Sequence, residues 1–175
     1  MRTVCLHGPE STGKSTLAGQ LAAHFHTVAV PEFGRLYCEI LGNQCDLEDL
    51  RTIRRGHELM AAAGRRKATR LLVLDTDAVM TAVWADTLLG ARPADLDRIA
   101  DPADLYLLCD IDVSFAPDSI RYFPDKAERA KMLALSQAEL EMRKLPFALI
   151  RGTRDARFAA AIEAIMQHFP ELATR

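Results

Sequence analysis

An α/β architecture, with a parallel sheet layered between helices, is the fold class this sequence predicts, on three observations. Short aliphatic runs alternate with longer amphipathic stretches along the 175-residue chain. Those runs are apolar on both faces, as strands covered by helices on each side must be. The segment GPESTGKS, residues 8–15, stands between the first aliphatic run and the first amphipathic stretch.

Taken in order, residues 3–7 form an apolar run that meets Gly8, which reads as a buried strand entering a loop. Leu17, Leu21 and Phe25 then recur at helical spacing, so residues 14 to about 25 are expected to form a helix. Residues 27–30 are rich in β-formers and stop at Pro31, giving a second strand. A short helix over 35–41 ends at Gly42, and Asp46 caps a longer one reaching about residue 67. Residues 71–74 are an uninterrupted aliphatic strand running into Asp75, Thr76 and Asp77, followed by a helix over 78–89 that Gly90 ends. Residues 105–109 and 147–150 supply the fourth and fifth strands, with a charged helical stretch over 126–144 between them. An amphipathic helix over 155–169 closes the chain. No internal repeat, low-complexity tract or linker interrupts this order, so a single domain over residues 1–175 is expected.

Composition narrows the partners. A hydrophobic content of 49%, a charged content of 26% and a net charge of −2 are ordinary for a soluble domain and exert no global pull toward nucleic acid or membrane. The basic residues around the long helix, Arg51 to Arg70, read as a solvated face or a ligand patch, the first being the simpler. Cys5, Cys38, Cys45 and Cys109 have neither CxxC spacing nor a histidine in ligand register, which points to reduced thiols. The N-terminus has one arginine and then a strand, with no signal-peptide stretch, and no window approaches the ~18 apolar residues of a membrane span. A cytoplasmic protein is expected.

GPESTGKS matches GxxxxGK(S/T), and each residue type has a physical reason to be there. Glycines let the backbone curl so that several N–H groups point inward as an anion nest. The helix that begins at the loop adds its positive dipole end. Lys14 can reach the β- and γ-phosphates, and the Ser15 hydroxyl can ligate Mg²⁺. Gly8, Pro9, Glu10, Ser11, Thr12, Gly13, Lys14, Ser15 and Thr16 are therefore the expected ATP-binding residues.

Three carboxylates fall at the C-terminal ends of predicted strands, the edge where open α/β sheets bind ligands. Asp75 is the expected Mg²⁺ partner of Ser15. Strand alternation would turn Asp77 the same way, toward the cleft, whereas its other reading is an N-cap for the helix that follows. Glu32, after Pro31, can accept a proton from a substrate hydroxyl, and Arg35 can pair with it or grip the substrate; a surface capping pair is the plainer alternative. Arg121 and Arg129 flank YFPDKAE, where mobile cations could close over a transferring phosphoryl group, with Asp118 orienting Arg121; an ordinary charged loop and helix fits the same residues. His57 lacks a metal-spaced partner and reads as structural.

The set GPESTGKST, PEFGRLY, Gly56-His57, LDTD and DSIRYFPDKAER resembles the ribosylnicotinamide kinase domain of the bacterial NadR proteins and their stand-alone relatives, over about residues 2–168. The resemblance implies a P-loop NTPase fold in three α/β/α layers, nucleoside/nucleotide kinase-like, with a five-stranded parallel sheet in the order 2-3-1-4-5. It implies a helical lid at about residues 115–145. It implies ATP- and Mg²⁺-dependent phosphorylation of a nucleoside 5′-hydroxyl, with nicotinamide riboside as the acceptor. By position, Lys14 and Ser15 serve ATP and Mg²⁺, Glu32, Arg35, Asp75 and Asp77 line the acceptor side, and Arg121 and Arg129 match lid arginines. Gly152 and Thr153, in the segment RGTRDAR after the last strand, match adenine-contacting backbone. The chain departs from the family in carrying Pro31 for a Trp and in lacking an aromatic near Met60, which leaves Phe33 and Trp84 as platforms for a flat ring.

The expected activity is thus a small-molecule kinase using ATP and a nucleoside-like acceptor, with no nucleic acid and no membrane partner. A kinase for another nucleoside, nucleotide or metabolite is its rival within the fold. A regulatory NTPase is the rival of another class, against which the chain shows no NKxD, no DxxG after the third strand and no LSGGQ.

Overall fold

The computed structural model describes residues 1–114 and 125–173. In chain order the elements are β1 (Arg2–His7), α1 (Lys14–His24), β2 (Ala29–Val30), α2 (Phe33–Leu41), α3 (Leu47–Arg65), β3 (Leu71–Asp75) and α4 (Ala78–Leu89). They continue with α5 (Ala94–Asp97), β4 (Leu105–Cys109), α6 (Lys126–Met142), β5 (Phe147–Ile150), α7 (Arg154–His168) and a 3₁₀ turn (Pro170–Leu172). Every strand pair is parallel and the order is β2-β3-β1-β4-β5, as expected from the resemblance.

The strands are apolar on both faces because each face has its own helical cover. Val4, Leu6, Leu71, Val73, Leu105 and Leu107 pack beneath Leu17 and Leu21 of α1 and Ala161 and Ile165 of α7. The alternate residues Cys5, Leu72, Leu74, Tyr106 and Leu108 face Ala61 of α3, Val79 of α4 and Leu140 of α6. The expected strand over 27–30 shortens to Ala29–Val30. Thr27 and Val28 still hold β3, through the Thr27 hydroxyl to the Leu71 carbonyl and Val73 N–H to the Val28 carbonyl at 3.4 Å.

Side-chain caps fix where the helices start. Asp46 accepts from the N–H of Glu48 and Asp49 at 2.8 and 3.0 Å while Asp49 accepts from the Asp46 N–H at 2.8 Å, a reciprocal box at the start of α3. Asp125 caps α6 through Ala127 N–H at 2.7 Å. Within the expected lid region, α6 from Met132 to Leu140 is anchored rather than projecting, since Met132, Ser136, Glu139 and Leu140 are all buried. No described helix is long and apolar enough to cross a membrane.

Outside the sheet, α2 lies across α3, and Tyr37 donates to Asp49 at 2.5 Å to tie the two together. The closest approach is at Gly56, where a Cβ would sit 2.2 Å from the Phe33 ring and 2.4 Å from its Cγ. Rotation about χ2 leaves Cγ in place, so a flip of the ring cannot relieve the contact. Gly56→Ala is expected to lose about 1–3 kcal/mol of stability from overpacking, outweighing the ~1 kcal/mol gain in helix propensity. Urea denaturation checks this, and the double variant with Phe33→Ala should lose less than the sum of the two single losses.

Candidate active site

The loop after β1 begins with a backbone constraint. Gly8 has φ of 116° and passes so close to β4 that a Cβ would stand 2.9 Å from the Cys109 carbonyl oxygen. Gly13, at φ 80°, then turns the chain into α1. Within the loop the Thr12 hydroxyl donates to the Pro9 carbonyl at 2.9 Å. The buried Lys14 ammonium donates to the carbonyls of Gly8 and Pro9 at 3.0 and 2.7 Å. Ser15 and Thr16 are exposed beside it on the first turn of α1.

Arg157 of α7 braces this loop from behind, and sequence reasoning passed it over. Its buried guanidinium donates to the carbonyls of Thr12 at 2.8 Å, Asp110 at 2.9 Å and Gly152 at 3.0 Å, and pairs with Asp112. The Gly152 N–H donates to Asp112 at 2.6 Å, and Thr153 caps α7 through Ala156 N–H at 3.3 Å. Gly152 and Thr153 are thus exposed, as adenine contacts need to be, but Gly152 already has both backbone groups engaged.

A cavity opens in front of the loop, lined at one end by Gly8, Glu10, Lys14, Glu32, Arg35 and Thr76. Its other end is more apolar, with Leu50, Ile53, Trp84 and Leu88. Glu32 is the N-cap residue of α2. Burial pushes its carboxyl up to about 7, Asp75 and Glu10 add to the rise, and Lys14 and Arg35 oppose it. Arg35 also pairs with Glu39 at 2.9 Å. His7 and His57 are both held neutral, burial lowering His7 to about 3 with help from Lys14 and His57 to about 4.

The two aspartates expected to converge do not. Asp75 ends β3 beside Leu6 of β1, buried, with Oδ1 unpartnered among the described residues. Thr76 then adopts φ of 80° and breaks the strand alternation. Asp77 turns into the protein, accepting from Val79 N–H at 3.0 Å and from the Tyr106 hydroxyl at 2.6 Å, and lines a second cavity behind α3 and α4. Its expected place on the cleft is therefore corrected to that of a helix cap.

Of the aromatic platforms, Trp84 lines the cavity. The Phe33 ring instead packs on Gly56 and edges His57, with ring centroids 6.4 Å apart, so its surface is used to hold α2 on α3. Arg129, at the start of α6 and buried, extends to the phosphate loop and donates to the Ser11 carbonyl at 3.4 Å. Arg121 and Asp118 lie outside the described residues. Sequence reasoning also missed the approach of Cys38 and Cys45, half-buried in the cavity wall with sulfurs 3.7 Å apart, because six residues, including a loop, separate them in the chain. No group of three or more metal-ligating side chains occurs among the described residues.

A family model described as AAA domain matches residues 3–157. The Trifunctional NAD biosynthesis/regulator protein NadR of Escherichia coli (strain K12) is 26% identical over 178 residues, a match that takes in 98% of this chain and 43% of that protein. The fold is shared with a crystal structure of NadR protein in complex with NR, at a TM-score of 0.75 and 20% identity, covering 95% of this chain and 50% of the other. It is also shared with a thymidylate kinase from Ehrlichia chaffeensis, at a TM-score of 0.65 and 16% identity, covering 95% and 97% of the two chains. Since the family model runs through residues 3–157 of 175, this chain belongs to the AAA domain family.

Proposed function

We propose that this chain is an ATP-dependent kinase that phosphorylates the 5′-hydroxyl of a nucleoside-like acceptor, with nicotinamide riboside the preferred candidate. The observation that carries it is one cavity with a phosphate loop at its charged end and Trp84 and Leu88 at its apolar end. A hydrolysing switch has no use for an acceptor cavity of this kind. Two relatives support the choice of acceptor: NadR of Escherichia coli by sequence, and the NadR structure in complex with NR by fold.

The residues divide the work by position. The loop N–H groups and Lys14 hold the donor's phosphates, the ammonium exchanging the Gly8 and Pro9 carbonyls for phosphate oxygens. Arg129 stands at the same loop and adds positive charge where the phosphoryl group moves. Glu32 orients and deprotonates the acceptor hydroxyl. The unpartnered buried Oδ1 of Asp75 and the exposed Ser15 hydroxyl fit a Mg²⁺ ion and its waters. When bound, Mg²⁺ neutralises charge on the donor's phosphate oxygens.

ADP release measured across a panel of nucleosides tests the assignment, and turnover of another acceptor with none for nicotinamide riboside overturns the choice of acceptor. Lys14→Ala is expected to reduce kcat by at least about 100-fold. Glu32 must be ionised to act, so with its carboxyl raised to about 7 the kcat/KM should fall as pH drops through that region and level off above it. Glu32→Gln should lower kcat by about 10²–10⁴-fold and abolish that acidic limb. Arg157→Lys cannot reach the same three carbonyls and Asp112 in one plane, and should raise KM for ATP severalfold while leaving KM for the acceptor unchanged.

A further inference from the structure

Of the four cysteines, two belong to the sheet and two to the cavity. Cys5 and Cys109 are strand residues, fully buried under the helices of opposite faces. Cys38 lies near the end of α2, and Cys45 directly precedes Asp46, the cap of α3. Both are half-buried thiols in the cavity wall, and their sulfurs are 3.7 Å apart. A disulfide needs ~2.05 Å, so the gap to close is about 1.7 Å. The surroundings permit that movement. None of the residues of α2 is fully buried, and Gly42, at φ 89° between the two cysteines, has open space around it. Tyr37, next to Cys38, already bonds Asp49 of α3 at 2.5 Å and holds the two segments opposite each other.

We propose that Cys38 and Cys45 are a redox-active dithiol, oxidised by a small disulfide to a bridge that ties α2 to the start of α3 and narrows the cavity between them. Burial pushes the Cys38 thiol up to about 12, with Cys45, Glu32 and Glu10 adding to the rise, so it stays protonated at neutral pH. The first attack therefore falls to Cys45. Its thiolate bonds one sulfur of the small disulfide and expels the other half as a thiol. Cys38 then gives up its proton, forms the S–S bond to Cys45 and expels the second half. The two cysteines lose two electrons and two protons, which the two released thiols carry away. The same helix α2 starts from Glu32 and bears Arg35, both at the charged end of the cavity. Resting on the kinase reading above, the bridge hinders entry of the acceptor and leaves the phosphate loop untouched.

Reduced protein is incubated with oxidised glutathione, alkylated and digested with trypsin. Arg35 and Arg51 bound one tryptic peptide, residues 36–51, that holds both cysteines. It should appear unalkylated and two hydrogens lighter than the reduced peptide, and dithiothreitol should restore it. Cys38→Ser should instead stop with one glutathione on Cys45, and Cys45→Ser should stay unmodified. Trp84, the only tryptophan of the chain, shares an apolar cluster with Cys45, and its emission should fall as the bridge forms. In the oxidised wild type the KM for the acceptor should rise severalfold while the KM for ATP holds, an effect absent from Cys45→Ser. Two alkylated cysteines, or glutathione on each with no bridge, overturn the dithiol and leave the kinase reading intact. So does a bridge that moves neither the Trp84 emission nor the acceptor KM. A reduced protein that turns over no acceptor removes the kinase reading, and the peptide mass and Trp84 emission then decide the dithiol by themselves.

Discussion

The functional edge of the sheet depends on one buried guanidinium. Arg157 gathers the loop after β1, the end of β4 and the turn before α7 onto a single planar donor set, with Asp112 balancing its charge. Thr12 lies 145 residues from Arg157 in the sequence. A lysine offers three donors from a point, whereas a guanidinium offers five in a plane, and three carbonyls arranged around a plane select the second. The curvature of the phosphate loop, and so the direction its N–H groups face, rests on this brace as well as on Gly8 beside Cys109.

In front of the brace the charges are set against each other. Lys14 and Arg35 bring positive charge to a cavity that also holds Glu10 and Glu32, with Arg129 on the phosphate loop and Asp75 at the end of β3 beside it. The two histidines are kept neutral by burial, so neither competes with Lys14 for an anion. Glu32 is the group left poised, its raised carboxyl the result of burial and two acidic neighbours that one lysine and one arginine only partly offset. A carboxylate held this way is a better proton acceptor than one in water.

The sheet and its helices were legible because their signals are local. Uninterrupted aliphatic runs marked β3 and β4 at nearly their observed bounds, and Asp46 and Gly90 marked helix ends through backbone chemistry that needs only neighbouring residues. The loop GPESTGKS was legible for the same reason. Asp77 misled because strand alternation assumes ordinary φ, and Thr76 departs from it. Phe33 misled because an aromatic beside a site looks like a platform until Gly56 of another helix is found beneath it. Arg157 left no local trace, since what distinguishes it is which distant carbonyls lie within reach.

Lys14 bonded to the carbonyls of its own loop has a thermodynamic meaning for the encounter with nucleotide. On the kinase reading, a nucleotide's phosphates take the place of those carbonyls at the ammonium, an exchange of acceptors in place of the ordering of a chain segment. The conformational entropy was surrendered when the protein folded. On the proposed kinase reading, nucleotide capture should be carried by enthalpy and depend on salt through the phosphates, while the heat-capacity change on adding the acceptor should come from the apolar wall around Trp84 and Leu88.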